Sequence, residues 1–231
     1  MLILGIETAT ELVGVSIGGH EGVIATFEVA RGRRHAEILT PAIEFVCRQA
    51  DVELTELGVI AVDVGPGLFT GIRVGLAAGK ALAQALRIPM IAISSLDLLA
   101  FPCRHTERVV VPVIDARKAE VFWSMYRQVP GGVQQVSPPT IGPIDDLVAD
   151  LLARSQDVLC VGDGAERYRE QILEGYRCEI SGPAHPSVAA LVQLAHSRAL
   201  REEWVRPNDI EPVYLRLPDA QINWATRESR P

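Results

Sequence analysis

Two acidic residues close two β-rich runs, Ile6-Glu7-Thr8 near the start of the chain and Ile114-Asp115-Ala116 near its middle. Carboxylates at strand ends can hold magnesium against the phosphates of a nucleotide. They can equally cap their own strands by accepting local backbone amides, and position alone does not separate the two uses. A third feature is GPGLFTGIRVG, Gly65 to Gly75, a glycine-rich loop running into a helical pattern. Pro66-Gly67 suits a tight turn with positive φ at the glycine, and Thr70 suits an N-cap for a helix from Gly71. Free amides at such a start can bind an anion. The candidate nucleotide or anion residues are therefore Glu7, Thr8, Gly65, Gly67, Thr70, Asp115 and Arg117.

The loop fails both phosphate templates. A Walker A loop needs G-x-x-x-x-G-K-[ST], and Gly75-Leu76-Ala77-Ala78-Gly79-Lys80 is one residue short and lacks the hydroxyl. Read as a dinucleotide fingerprint, its third glycine comes one residue late. Arg73 falls in the first helical turn, where a cation opposes the helix dipole at a few tenths of a kcal/mol. It is expected to answer a specific acid or phosphate, within the chain or across an interface. Gly71, Gly75, Gly79 and Ala83 recur every four residues and leave one helical face bare. Each interior glycine costs about 1 kcal/mol relative to alanine, so something must approach that face closely. Either the chain's own sheet or a partner's helix could do so.

The elements that would position these residues occur twice. In the first hundred residues the pattern predicts strands at Leu2–Glu7, Leu12–Gly18 and Val23–Ala30, then a helix with Leu39, Ile43, Val46 and Ala50 on one face. Thr40-Pro41 either starts or kinks that helix. A buried strand at Leu57–Val64, a helix at Gly71–Leu86, a strand at Pro89–Ile93 and a serine-capped helix at Ser95–Ala100 come next. The second hundred predict strands at Val109–Ile114, Glu120–Tyr126 and Val133–Val136, the last after the Pro130-Gly131-Gly132 turn. A helix at Ile144–Leu152, a strand at Val158–Val161, a helix at Ala165–Leu173, a strand at Tyr176–Ile180 and a helix at Val188–Leu200 complete the series. The duplicated order βββαβαβα is that of an α/β, two-lobed actin-like (ASKHA, sugar kinase–Hsp70 ATPase) fold, with lobes at 1–104 and 105–210. A C-terminal segment, 211–231, ends in a polar tail (Gln221–Pro231) expected to be partly disordered.

The chain has 231 residues, 48% hydrophobic and 22% charged, with a net charge of −7. That acidity argues against autonomous RNA binding, which uses a basic face. No secretory signal or membrane span is expected, because the N-terminus already reads as a strand and no apolar run reaches about 18 residues. Cys47, Cys103, Cys160 and Cys178 are scattered without C-x-x-C spacing, which predicts buried structural thiols in a reducing cytosol. The five histidines show no H-x-x-x-H pair, so no metal site is expected.

GPGLFTGIRVG, with RGRRHAEILTPAIEFV, AISSLDLL, VIDARKAEVFWSMY and EPVYLRLP around it, closely resembles the TsaB (YeaZ) family over nearly the whole chain. Leu68 stands where the family usually has serine. The resemblance implies a non-catalytic subunit, with no catalytic residue and no metal of its own. Such a subunit dimerises with and activates TsaD, the subunit that forms N6-threonylcarbamoyladenosine at position 37 of tRNAs reading ANN codons. It further implies a second partner, the ATPase TsaE, a homodimer as the alternative state alone, tRNA contact mainly through the complex, and a cytoplasmic location. TsaD carries metal-binding histidines, whereas the matching stretch here, Ile93 to Leu99, has none. Relatives that bind nucleotides follow the first acid with glycine, whereas here Glu7-Thr8-Ala9 and Asp115-Ala116-Arg117 carry side chains. ATP, ADP or magnesium is thus expected to bind weakly at most, at the cleft or a subunit interface. The implied partner interface comprises His35, Leu39, Ile43, Gly71, Arg73, Gly75, Gly79 and Ala83. Rival readings are an active nucleotide phosphotransferase or ATPase of the same fold, a metallopeptidase-like protein, and a homodimeric binding module outside tRNA biology.

Overall fold

The computed structural model describes residues 1–30 and 34–216. The Arg31-Gly32-Arg33 part of the family motif and the predicted tail lie outside the described residues. Two sheets form the frame. The first has the order β3-β2-β1-β4-β5, from β1 (Leu2–Glu7), β2 (Leu12–Gly19), β3 (Gly22–Ala30), β4 (Leu57–Asp63) and β5 (Met90–Ile93). The second has the order β10-β7-β6-β11-β12, from β6 (Val109–Arg117), β7 (Glu120–Trp123), β10 (Thr140–Pro143), β11 (Val158–Val161) and β12 (Glu179–Ile180). Antiparallel and parallel pairings fall at the same places in both. This repeated topology is the two-lobed actin-like ASKHA fold that the element order predicts.

The predicted third strand of the second lobe is corrected. Gly131, at φ 85°, turns β8 (Tyr126–Val129) back onto β9 (Gly132–Gln135), so Val133–Val136 belongs to a local hairpin. The strand that pairs with β7 is β10. The predicted Glu120–Tyr126 strand also divides, because Ser124 and Met125 turn away to bond Ser137. The predicted Ala165–Leu173 helix is two short ones, α5 (Asp163–Arg167) and α6 (Arg169–Gly175), and only the last two residues of Tyr176–Ile180 pair as a strand.

Helices α1 (His35–Ala50), which runs through Pro41 from a start at His35, and α2 (Phe69–Leu86) cover one face of the first sheet. Its other face packs against Val188, Leu191, Val192 and Ala195 of α7 (Val188–Leu200). The second sheet mirrors this: α4 (Ile144–Arg154), α5 and α6 on one face, and Leu96, Leu99 and Ala100 of α3 (Ser95–Ala100) on the other. Each lobe therefore lends its last helix to the other's sheet. Helices α3 and α7 each bury their apolar face on the sheet of the neighbouring lobe rather than on that of the lobe they belong to in sequence. Among the described residues no helix is long and apolar enough to cross a membrane.

Candidate functional site

The first-lobe acid is buried and bound locally. Glu7 Oε1 accepts the Thr10 amide and hydroxyl at 3.2 and 3.1 Å, and Oε2 accepts the Ala9 amide at 3.2 Å. Beside it stands Asp63 at the end of β4, also buried, whose Oδ1 accepts the Gly65 amide and the Ser95 hydroxyl, both at 2.7 Å. Burial, with Asp63 alongside, drives the Glu7 carboxyl well above its ordinary range. Burial also raises Asp63, against hydrogen bonds from Glu7, Ser95 and the Gly65 amide. Asp63 Oδ2 is buried with no hydrogen-bond partner among the described residues. The coherent arrangement is one shared proton, with Glu7 donating to Asp63.

The glycine loop is built around this pair. Gly65, not Gly67, carries the positive φ, at 96°. Gly67 is required for a different reason: a Cβ there would strike the Ala9 carbonyl, which already accepts the Leu68 amide at 2.6 Å. The helix starts earlier than predicted, with Leu68 at the N-cap, and Thr70 is an exposed helical residue without a capping role. Thr8 donates its hydroxyl to the Gly71 carbonyl at 2.8 Å, and His35 Nε2 donates to the Thr10 carbonyl at 2.7 Å. The turn Thr8–Thr10 thus packs directly under the start of α2.

The bare face of α2 belongs to the chain's own interior. A Cβ on Gly71 would meet the Thr8 carbonyl, one on Gly75 the Thr8 hydroxyl, and one on Gly79 Val62 at 2.7 Å. Ala83, His35, Leu39 and Ile43 are buried in the same way. The implied partner interface is therefore corrected, because seven of its eight residues are used up within the monomer. Arg73, the eighth, is exposed, and its contacts among the described residues are aromatic. Its guanidinium lies 3.8 Å from the centre of the Phe69 ring, and its Nε donates to the Tyr214 hydroxyl at 2.9 Å. What α2 exposes is Thr70, Arg73, Ala77, Ala81, Gln84 and Ala85, with Val74, Ala78 and Leu82 half-buried against the first-lobe core.

The second-lobe acid faces the cleft and is answered by cations. Asp115 Oδ1 accepts the Arg117 amide at 3.0 Å, and Oδ2 lies 3.3 Å from Arg167 Nη1 and 3.5 Å from Arg117 Nη1. Its own amide donates to Asp163 at 3.1 Å, just past the end of β11. Burial raises the Asp163 carboxyl, partly offset by that amide and by His185. Arg117 then reaches across to Glu11 in the β1–β2 turn of the first lobe. Arg117, Lys118 and Ala119 all hold positive φ, at 65°, 55° and 61°, at roughly 1–2 kcal/mol each. This strained turn aims Arg117 at the first lobe. The two β-turns that would flank a nucleotide's phosphates are thus joined to each other.

A last segment also bridges the lobes. The Val213 amide donates to the Val64 carbonyl at 2.8 Å and Tyr214 stacks on Phe69 at 5.0 Å, while Arg216 donates to the Ala116 carbonyl at 2.7 Å and pairs with Glu120. Sequence reasoning misses Asp63, Ser95, Asp163, Arg167 and Arg216. Asp63 and Asp163 carry a usable signal, since Asp63 closes β4 two residues before Gly65 and Asp163 follows β11 and stands directly before Gly164. Arg216 carries none. Among the described residues no three or more His, Cys, Asp or Glu side chains group as metal ligands.

Residues 28–224 match the family model described as TsaD: tRNA N6-adenosine threonylcarbamoyltransferase. The chain is 29% identical to the tRNA threonylcarbamoyladenosine biosynthesis protein TsaB of Bacillus subtilis, over 97% of this chain and 98% of that one. It is 28% identical to the TsaB of Escherichia coli over 94% and 95%. The solved structure of YeaZ from Pseudomonas aeruginosa superimposes with a TM-score of 0.79 at 27% identity, covering 93% of this chain and all of that one. The chain belongs to the family that this model describes and, within it, to the TsaB (YeaZ) group.

Proposed function

We propose that this chain takes part in tRNA threonylcarbamoyladenosine biosynthesis as a non-catalytic subunit that dimerises with and activates TsaD, the transferase acting at position 37 of tRNAs reading ANN codons. Family membership supports the pathway. The observation that carries the non-catalytic part is the filled cleft. Arg117 joins Glu11 across it, Arg167 occupies Asp115, and Glu7 and Asp63 satisfy each other in the dry interior. A nucleotide or magnesium ion would have to displace the Arg117–Glu11 pair, so ATP or ADP binds weakly and the chain brings no cofactor of its own. TsaE is the second partner, tRNA is held mainly by the complex, and the assembly works in the cytoplasm.

The partner surface in this reading is the outward side of α1 and α2. Ala77 and Ala81 are exposed on a low, apolar helix face, with Val74, Ala78 and Leu82 half-buried beside them, and Phe45 of α1, 40% exposed, stacks on Phe27 of β3. Small side chains let a partner helix approach closely. Ala81→Arg is expected to keep the wild-type melting temperature within a few degrees and to abolish co-purification with TsaD. Retention of the complex with a folded Ala81→Arg variant would show that TsaD docks elsewhere.

A further inference from the structure

The sequence scatters its four cysteines, but the fold brings two together. Cys160 lies in the middle of β11 and Cys178 just before β12, and their sulfurs are 3.9 Å apart in the same face of the second sheet. The other two cannot join them. Cys103 packs on the opposite face, against Gly182, and Cys47 lies in the first lobe. The pair is asymmetric. Cys160 is buried within the strand, whereas Cys178 is half-buried at the sheet edge, just before an edge strand whose ladder with β11 has two residue pairs.

We propose that Cys160 and Cys178 form a redox-sensitive thiol pair, which hydroperoxides convert to an intrachain disulfide. Cys178 is the attacking group. It receives the S–H hydrogen bond from Cys160 and the field of Arg169, and both hold its thiol below the ordinary range while Cys160 is pushed up. The thiolate is the reactive form of a cysteine. Its sulfur attacks one oxygen of hydrogen peroxide and the O–O bond breaks. The departing hydroxide takes up a proton, and Cys178 is left as the sulfenic acid, oxidised by two electrons. Cys160 then gives up its proton, its sulfur attacks the Cys178 sulfur, and the S–O bond breaks with release of water. Two thiols and one peroxide thus yield one disulfide and two waters. The sulfurs must close from 3.9 Å to about 2.05 Å. The short edge strand β12 can shift to allow this, whereas the central strand β11 cannot.

The test uses the full chain treated with hydrogen peroxide, denatured, alkylated and mapped by mass spectrometry. The expected product is a single linkage between the Cys160 and Cys178 peptides, reversed by reduction, with Cys47 and Cys103 alkylated as before. Cys178→Ser should slow peroxide-dependent loss of the Cys160 thiol by roughly tenfold or more. The proposal is overturned if both thiols stay alkylatable, if Cys178 proceeds to the sulfinic acid with Cys160 still free, or if the linkage formed involves Cys47, Cys103 or a second chain. Because the wild-type map is the primary readout, a variant that fails to fold does not rescue the proposal.

Discussion

Glu7 with Asp63 and Asp115 with Asp163 occupy corresponding regions of a duplicated lobe, yet they live under different conditions. The first pair is sealed beneath the glycine loop, where burial and the neighbouring Asp63 raise the Glu7 carboxyl well above its ordinary range. The second opens to the cleft, where Arg117 and Arg167 meet Asp115. The same backbone plan therefore yields a neutralised core network in one lobe and a charged, half-wet one in the other. The difference comes from the residues just after each acid. Thr8-Ala9-Thr10 folds inward under α2, whereas Ala116-Arg117-Lys118 turns outward, with left-handed backbone at Arg117 and Lys118.

The contrast can be broken most forcefully at the dry lobe's packing. Gly75→Leu places a side chain against the Thr8 hydroxyl with nowhere to go. We expect a loss of about 3 kcal/mol or more, since overpacking a closed site costs this much. Thermal unfolding would register a drop of roughly 6–12 °C for a chain of this size. A variant with unchanged stability would mean that the face is free for a partner after all.

Next in size is the pH response. A carboxyl whose folded-state pKa lies above its unfolded value binds more protons folded than unfolded between the two values. Its contribution to stability is therefore greatest at low pH and is lost as pH rises. Glu7 makes wild-type stability fall as pH climbs above the ordinary glutamate value of 4.5. Glu7→Gln keeps a donor toward Asp63 and should flatten that slope, gaining about 1–2 kcal/mol over wild type at pH 8 relative to pH 5. Urea midpoints across this range measure it, and parallel slopes for the two proteins would refute the shared proton.

The wet lobe should respond less. Arg117→Ala removes the link to Glu11, but Arg167 remains on Asp115, and half-exposed ion pairs are worth about 0–1 kcal/mol. The expected loss is below about 1 kcal/mol and shrinks further in high salt. A loss as large as that of Gly75→Leu would show that the lobes are held together chiefly by charge. Smallest of all, Arg73→Ala should cost about 0.5–1 kcal/mol by unstacking Phe69 and Tyr214, read as a small fall in melting temperature.

The fold is largely legible in the sequence because the duplicated pattern of periods two and 3.6 survives even where strands are short. Legibility ends at the β8–β9 hairpin, where Val133–Val136 has strand character without saying which strand it joins. It ends also at α3 and α7, whose apolar faces do not announce which sheet they cover. At the site, the glycine spacing correctly demands a close neighbour, but only coordinates identify Thr8 and Val62 as that neighbour. Arg73 invites a search for formal charges when its partners are aromatic, and Tyr214 stands 141 residues away. Asp63 escapes notice because a buried strand ending in an acid reads as an ordinary strand end.

A non-catalytic, activating role is tested most directly by reconstituting tRNA modification with TsaD and TsaE, omitting this chain, adding it, or adding a folded Glu7→Gln/Asp115→Asn variant. Threonylcarbamoyladenosine is expected only when the chain is present, in nearly equal yield with wild type and variant. Full modification without the chain, or its collapse with the folded double variant, would contradict that role.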